Sequence, residues 1–163
     1  MKLANNPSQS VLPLRSFGEC QTGRQDMAGK DMAVKEMAED VHGVSILLVE
    51  DEFLICSMIA EALARHGFEV HTASNANDAL KHLTRGAPCD ILLTDLNLGP
   101  GIDGVALAKM VREMRPGLPV VYVSGSFNRL EQFQAVPGAR FVAKPCNPDR
   151  LCAMLSEISV AKH

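Results

Sequence analysis

The sequence predicts a doubly wound α/β fold: a five-stranded parallel sheet covered by five helices, with a disordered N-terminal tail before it. Three observations lead there. Five short strand-like runs, three of them rich in Val, Ile and Leu, recur between Ser45 and Ala143. Stretches of helical periodicity alternate with them, an order that calls for crossover connections and a parallel sheet buried on both faces. Four of the five runs end on a charged or hydroxyl side chain. In such sheets ligands bind outside the carboxyl ends of the strands, where strand order reverses.

The 163 residues suffice for one domain and a tail. Apolar residues make up 47% and aromatics only 4%, with no Trp and one Tyr, so the expected core is aliphatic. Residues 1–43 are expected to be a flexible extension and residues 44–163 the domain. Asn5 to Ser10 and Gly18 to Arg24 are polar and carry chain breakers. A five-residue repeat inside the extension starts at Asp26, Asp31 and Glu36, each followed by Met-Ala. Asp26/Lys30 and Asp31/Lys35 are acid-to-base pairs four apart, which favour helix modestly. A period of five does not hold one helical face, however. The repeat reads either as a partner-binding helix or as a solvated stretch upstream of an alternative start at Met27, Met32 or Met37. Its composition favours the second reading.

The domain opens with Ser45-Ile46-Leu47-Leu48-Val49, the first strand, followed by Glu50-Asp51-Glu52. Residues 53–66 place Leu54, Ile55, Met58, Ile59, Ala62 and Leu63 at helical spacing, and Gly67 supplies a stop. Residues 68–73 alternate as a strand should. Asn75 can cap a helix over 76–85, which Gly86 ends. Ile91-Leu92-Leu93-Thr94-Asp95, bounded by Pro88 and by Gly99-Pro100-Gly101, is a continuous apolar run and so a buried strand. A helix over 103–115 turns Val105, Leu107, Ala108 and Val111 inward before Pro116-Gly117. Residues 119–123 form a fourth strand that ends in Ser124-Gly125-Ser126. A short, weak helix is expected from Asn128 to about Gln134. Residues 140–143 form the fifth strand, ending in Lys144-Pro145. Asn147 caps a last helix with Pro148 at its first position, running to about Val160.

Asp95 cannot be core filler. A lone carboxylate at the end of a buried strand costs about several kcal/mol or loses its charge. Strand one ends in Glu50-Asp51, strand four in Ser124 and strand five in Lys144. Each residue alone has an ordinary explanation: a turn former, a helix cap, a loop hydroxyl, a surface charge. Together they put three carboxylates, a hydroxyl and an ammonium on one rim. Two like charges about 4 Å apart repel by about 4 kcal/mol at an effective dielectric near 20. Such an acidic cluster invites a divalent cation, and few fixed oxygen ligands suit Mg²⁺, which shares its site with phosphate. A lysine and a hydroxyl facing it supply what phosphoryl oxygens need. The chemistry indicated is phosphoryl transfer to Asp95 as nucleophile.

The pieces Leu47-Leu48-Val49-Glu50-Asp51-Glu52, Leu92-Leu93-Thr94-Asp95-Leu96-Asn97, Val121-Tyr122-Val123-Ser124-Gly125 and Phe141-Val142-Ala143-Lys144-Pro145 resemble the receiver domain of two-component response regulators, with its flavodoxin/CheY-like fold. The resemblance runs from Ser45 to the C-terminus. It implies that Asp95 accepts a phosphoryl group from the phosphohistidine of a sensor or hybrid histidine kinase, or of a histidine phosphotransfer protein. It implies that Glu50, Asp51 and Asp95 serve Mg²⁺, with the backbone carbonyl of Asn97 as a further ligand. Lys144 would bind the phosphoryl oxygens, Ser124 would turn to hydrogen-bond them, and Phe141 would rotate inward behind it. It also implies a cis bond at Lys144-Pro145. The run from Leu96 to Ile102 is one residue longer than the commonest family pattern. With Arg115-Pro116-Gly117-Leu118-Pro119, it resembles receivers attached to or partnering bacterial hybrid kinases.

On this reading the protein is a stand-alone receiver, a signalling module rather than an enzyme beyond its own phosphorylation and dephosphorylation. Its output is protein contact or relay. Net charge of -3 with no basic stripe leaves no nucleic-acid footprint. No apolar stretch is long enough for a bilayer, and no secretory signal follows Lys2. Five scattered cysteines without a C-x-x-C pair fit reduced thiols in a cytoplasm. Monomer or weak dimer is expected. A haloacid-dehalogenase-like phosphatase also uses a strand-end Asp, Mg²⁺, a hydroxyl and a Lys. It resembles this chain less, because the family's proton-donating acid falls on Asn97. A flavodoxin-like cofactor site is discounted, since Glu50-Asp51-Glu52 would repel its phosphate.

Overall fold

A computed structural model describes residues 43–125 and 134–161. The extension over 1–42 and most of the weak helix expected from Asn128 lie outside the described residues. Gln134, the expected end of that helix, is in no helix.

The described elements are β1 (Ser45–Val49), α1 (Phe53–Arg65), β2 (Glu69–Ala73), α2 (Ala76–Thr84), β3 (Ile91–Asp95), α3 (Gly104–Met114), β4 (Val120–Ser124), β5 (Arg140–Ala143) and α4 (Pro148–Val160). All strand pairs are parallel, in the order β2-β1-β3-β4-β5. Strand order reverses between β1 and β3, which sets the crevice beside Asp95. The predicted sheet is therefore present, with four helices described. Boundaries move by a residue: His66, Phe68, Arg85, Asp103, Arg115 and Pro119 fall outside the elements assigned to them, and Ser124 belongs to β4.

Alternation along the strands sorts the core into two layers. Leu47, Val49, Leu92, Val120 and Tyr122 face α2 and α3, packing with Ala79, Leu83, Val105 and Val111. Ile46, Leu48, Ile91, Leu93, Val121 and Val123 face α1 and α4, packing with Ile59, Leu63, Leu151 and Leu155. Both sets are needed because a parallel sheet carries helices on both faces. The central strands β1, β3 and β4 are buried throughout, while the edge strands β2 and β5 are part-exposed.

Side chains start three of the helices. Asn75 accepts from the Asp78 N–H at 2.9 Å, Asp103 from the Ala106 N–H at 2.7 Å, and Asn147 from the Asp149 and Arg150 N–H groups. Glu52, ahead of α1, makes no such cap. Leu54 and Met58 lie in α1 as their spacing predicts. They keep its period but face outward, 74% and 70% exposed.

Candidate functional site

The sheet's hydrogen bonds carry each rim residue to its place. The Glu50 N–H donates to the Ala73 carbonyl and the Leu96 N–H to the Val123 carbonyl. The Lys144 N–H donates to the Ser124 carbonyl at 2.8 Å, which fixes the ammonium-bearing residue against the end of β4. Glu50 continues the inward alternation of Ile46 and Leu48, Asp95 that of Ile91 and Leu93, and Lys144 that of Val142. All three thus follow the α1/α4 side of the sheet.

Their side chains meet. The Lys144 Nζ donates to Asp95 Oδ2 at 2.6 Å and to Glu50 Oε2 at 2.7 Å. Glu50 is 2% exposed and Asp95 8% exposed, so this is a buried charge triad rather than a surface pair. Burial pushes the Glu50 carboxyl above its ordinary range, although the Lys144 ammonium pulls the other way. Burial pulls Lys144 down, but its hydrogen bonds to Asp95 and Glu50 outweigh that and hold it above its ordinary value. The remaining Asp95 oxygen, Oδ1, accepts from the Asn97 backbone N–H at 3.1 Å.

Oxygens of Glu50, Asp51 and Asp95 lie within 4.8 Å of one another. Asp51 is exposed and opens the cluster to solvent. Three carboxylate oxygens converging at that spacing fit a hard cation that keeps part of its water, as Mg²⁺ does. Gly99, at φ +70°, runs the following loop close to this acid: a Cβ there would stand 3.4 Å from Asp51 Oδ2. The contact made by Asn97 is its backbone N–H on Asp95; its side chain is exposed.

Ser124 and Phe141 lie on the other side of the sheet's alternation, with Tyr122. Ser124 is 3% exposed at the end of β4 and pairs in register with Ala143. Phe141 is half-buried and stacks on Tyr122, ring centres 5.2 Å apart at 25°. The Lys144–Pro145 peptide bond is cis.

Two residues that shape the rim were not singled out as site residues in the sequence. Gly104 opens α3 directly beneath Asp95: a Cβ there would lie 1.9 Å from the Asp95 carbonyl oxygen. Only glycine allows the helix to approach the strand end so closely, and the Gly104 N–H bonds the Leu96 carbonyl at 3.0 Å. Thr94 donates its hydroxyl to that same Asp95 carbonyl at 2.9 Å. The Asp103-Gly104 pair was the available signal, but it reads equally as an ordinary cap. Among the four described cysteines no disulfide forms, and burial pushes the Cys146 thiol beside Lys144 upward. No described helix is long and apolar enough to cross a membrane.

The domain has counterparts in known proteins. Residues 46–156 match the model of the response regulator receiver domain. The nitrogen assimilation regulatory protein NtrX of Azorhizobium caulinodans is 35% identical over 108 residues, 65% of this chain and 24% of that protein. The transcriptional regulatory protein TcrA of Mycobacterium tuberculosis is 31% identical over 121 residues, 73% of this chain and 47% of that protein. The chain thus spans about a quarter of the first relative's length and just under half of the second's. A response regulator receiver protein from Sinorhizobium medicae superposes with a TM-score of 0.68 at 30% identity, covering 74% of this chain and 97% of that one. The chemotaxis protein CheY4 of Vibrio cholerae superposes with a TM-score of 0.63 at 27% identity, covering 71% of this chain and 98% of that one.

Proposed function

The chain belongs to the response regulator receiver domain family, and from that premise we propose that Asp95 is its phosphoacceptor and Lys144 and Ser124 the groups that receive the phosphoryl oxygens. One observation carries this reading: the buried Glu50–Lys144–Asp95 triad at the carboxyl ends of the strands, with Asp51 beside it. Buried charge of this kind is costly to maintain, and its partial compensation by one lysine leaves a net negative site that a divalent cation can neutralise before a phosphoryl group arrives.

An Asp95 oxygen attacks the phosphorus of a phosphohistidine. An O–P bond forms, the N–P bond breaks, and the imidazole nitrogen leaves with the electron pair and takes up a proton. Phosphorylation puts a group of about -1.5 to -2 charge in place of the single negative charge of the Asp95 carboxylate, beside the two carboxylates of Glu50 and Asp51. Mg²⁺ held by Glu50, Asp51, Asp95 and the Asn97 carbonyl would supply the neutralising charge. Lys144 need only turn its Nζ from the Asp95 carboxylate to the new oxygens. Ser124, at the end of the neighbouring strand, supplies the hydroxyl, and Phe141 follows it inward. The local charge change thus reaches the β4–β5 surface. A phosphatase reading is not favoured, because the acid it needs is Asn97, whose backbone rather than side chain meets Asp95.

The donor is a phosphohistidine on a helical protein, from a sensor or hybrid kinase or a phosphotransfer protein. Phe53, Leu54 and Met58 of α1 are 79%, 74% and 70% exposed, half of the six large apolar residues that the described surface exposes. They stand in the helix that starts beside Asp51, next to a groove lined by Pro145, Cys146 and Leu151. An apolar helix face beside an acceptor carboxylate suits a helical donor. Output is by protein contact or relay, in the cytoplasm, with no nucleic acid held by the receiver itself. The relatives named as transcriptional regulators are much longer chains.

Intact mass after incubation with Mg²⁺ and acetyl phosphate tests the acceptor. The parent is expected to gain one phosphoryl group, and Asp95→Asn, or the parent with Mg²⁺ chelated, none. An adduct that persists in Asp95→Asn would remove Asp95 from the role.

A further inference from the structure

We propose that Tyr122 is a positioning residue for the switch: its buried ring holds Phe141 half-exposed, and Phe141 can move toward Ser124 only by leaving that stack. The proposal rests on Asp95 being the acceptor and Phe141 the moving aromatic.

Tyr122 and Phe141 are register partners on β4 and β5, so their side chains rise side by side from the same face. Their rings are near-parallel at 25° with centres 5.2 Å apart, an offset stack. The two partners are not equally free. Tyr122 is 0% exposed, clamped in the layer under α3, whereas Phe141 is half-buried on an edge strand. Any movement belongs to Phe141. The next register pair toward the rim on that face is Ser124 with Ala143. Ala143 offers only a methyl group there, so a turned Phe141 finds room beside the hydroxyl. Tyr122 therefore sits behind the row along which the switch travels.

The other end of the Tyr122 ring meets the chain that joins β4 to β5. Its hydroxyl lies by the Val136 backbone without closing a hydrogen bond of good geometry. A ring released by Phe141 can settle differently against that segment, which extends the change beyond β5.

The chain supplies its own probe: Tyr122 is the sole tyrosine and there is no tryptophan. Near-ultraviolet dichroism and tyrosine fluorescence of the full chain thus report this one ring. With acetyl phosphate and Mg²⁺, the tyrosine signal is expected to change in proportion to the phosphoryl adduct measured by mass, and to stay fixed in Asp95→Asn. The proposal requires the turned form to accept faster than the stacked one, so the apparent rate scales with the population of the turned form. Removing the ring with Tyr122→Leu is expected to speed adduct formation about two- to tenfold, the size of one aromatic pair. Tyr122→Phe, which keeps the ring, restores the parent rate. A merely structural Tyr122 would lower stability without raising that rate.

An adduct on the parent with an unmoved tyrosine signal overturns this proposal alone. So does a folded Tyr122→Leu that accepts no faster than the parent. If Tyr122→Leu does not fold, the parent's tyrosine signal decides. Absence of any adduct on the parent strikes the acceptor reading, and this proposal with it.

Discussion

Lys144 balances the rim. It faces two carboxylates, Glu50 at 2.7 Å and Asp95 at 2.6 Å, in a place where only 16% of its own side chain is exposed. Removing one partner of a buried pair costs about 3–5 kcal/mol, because the charge left behind has lost its compensation. Lys144→Met keeps the length and loses the charge, so it is expected to destabilise the Mg²⁺-free protein by about 3 kcal/mol, the low end of that range. Mg²⁺ should restore part of this, since the freed carboxylates bind it better; urea melts with and without Mg²⁺ measure both effects. The pH dependence has a definite sign. Lys144 titrates above its ordinary 10.5 in the folded state, so its contribution is complete below pH 10.5 and fades as pH rises through the folded value. The parent should lose stability in that window and Lys144→Met should not lose that component. A variant as stable as the parent without Mg²⁺ would mean the triad is not a working ion pair. Asp95, Asp51 and Lys144 were legible in the sequence because strand-end position needs only the strand pattern. That Glu50 shares Lys144 was not, because β1 and β5 lie 94 residues apart in sequence and sequence order says nothing of who pairs across the rim.

At the scale of elements, strands were easier to read than their edges. The apolar runs of β1, β3 and β4 are so continuous that burial on both faces follows from composition. Helix ends were displaced by a residue because caps compete with the last turn. The outward turn of Leu54 and Met58 was hidden, since a period gives a face but not what covers it. Arg115 was also missed. Within Arg-Pro-Gly it reads as a surface charge in a turn, yet its guanidinium reaches the carbonyls of Cys89 at 3.3 Å, Ala87 at 3.2 Å and Leu83 at 3.5 Å. It ties the end of α3 to the α2–β3 connection and meets the carbonyl end of α2 with positive charge. Arg115→Ala is expected to cost about 1–3 kcal/mol, the scale of hydrogen bonds to a charged group. Amide exchange should quicken between Leu83 and Ile91. Acetyl phosphate should still label Asp95 at the parent rate, because this tie lies at the foot of the sheet. Slower labelling would show that foot and rim are coupled.

The whole molecule divides accordingly: a foot tied by Arg115, a rim where the charged groups converge, and one flank left apolar. The flank distinguishes chemistry from recognition. On the proposed function a small phosphodonor needs only the rim, so its rate is expected to depend on Asp95, Lys144 and the acidic cluster. A protein donor must also be held with its histidine in line with Asp95, and the exposed side chains of α1, the helix that follows Asp51, offer an apolar surface for that. Replacing Leu54 and Met58 together by Ala removes that surface without touching the core, because both are more than two-thirds exposed. Stability should therefore stay within about 0.5 kcal/mol of the parent. Labelling by acetyl phosphate should be unchanged. Transfer from a phosphorylated histidine-bearing bundle that works on the parent should fall about tenfold or more, the loss of one interface hot spot. Equal loss in both assays would place the damage at the rim, and loss in neither would move the donor to another face. Only the split result assigns α1 to the donor, and it does so whichever kinase supplies the phosphoryl group.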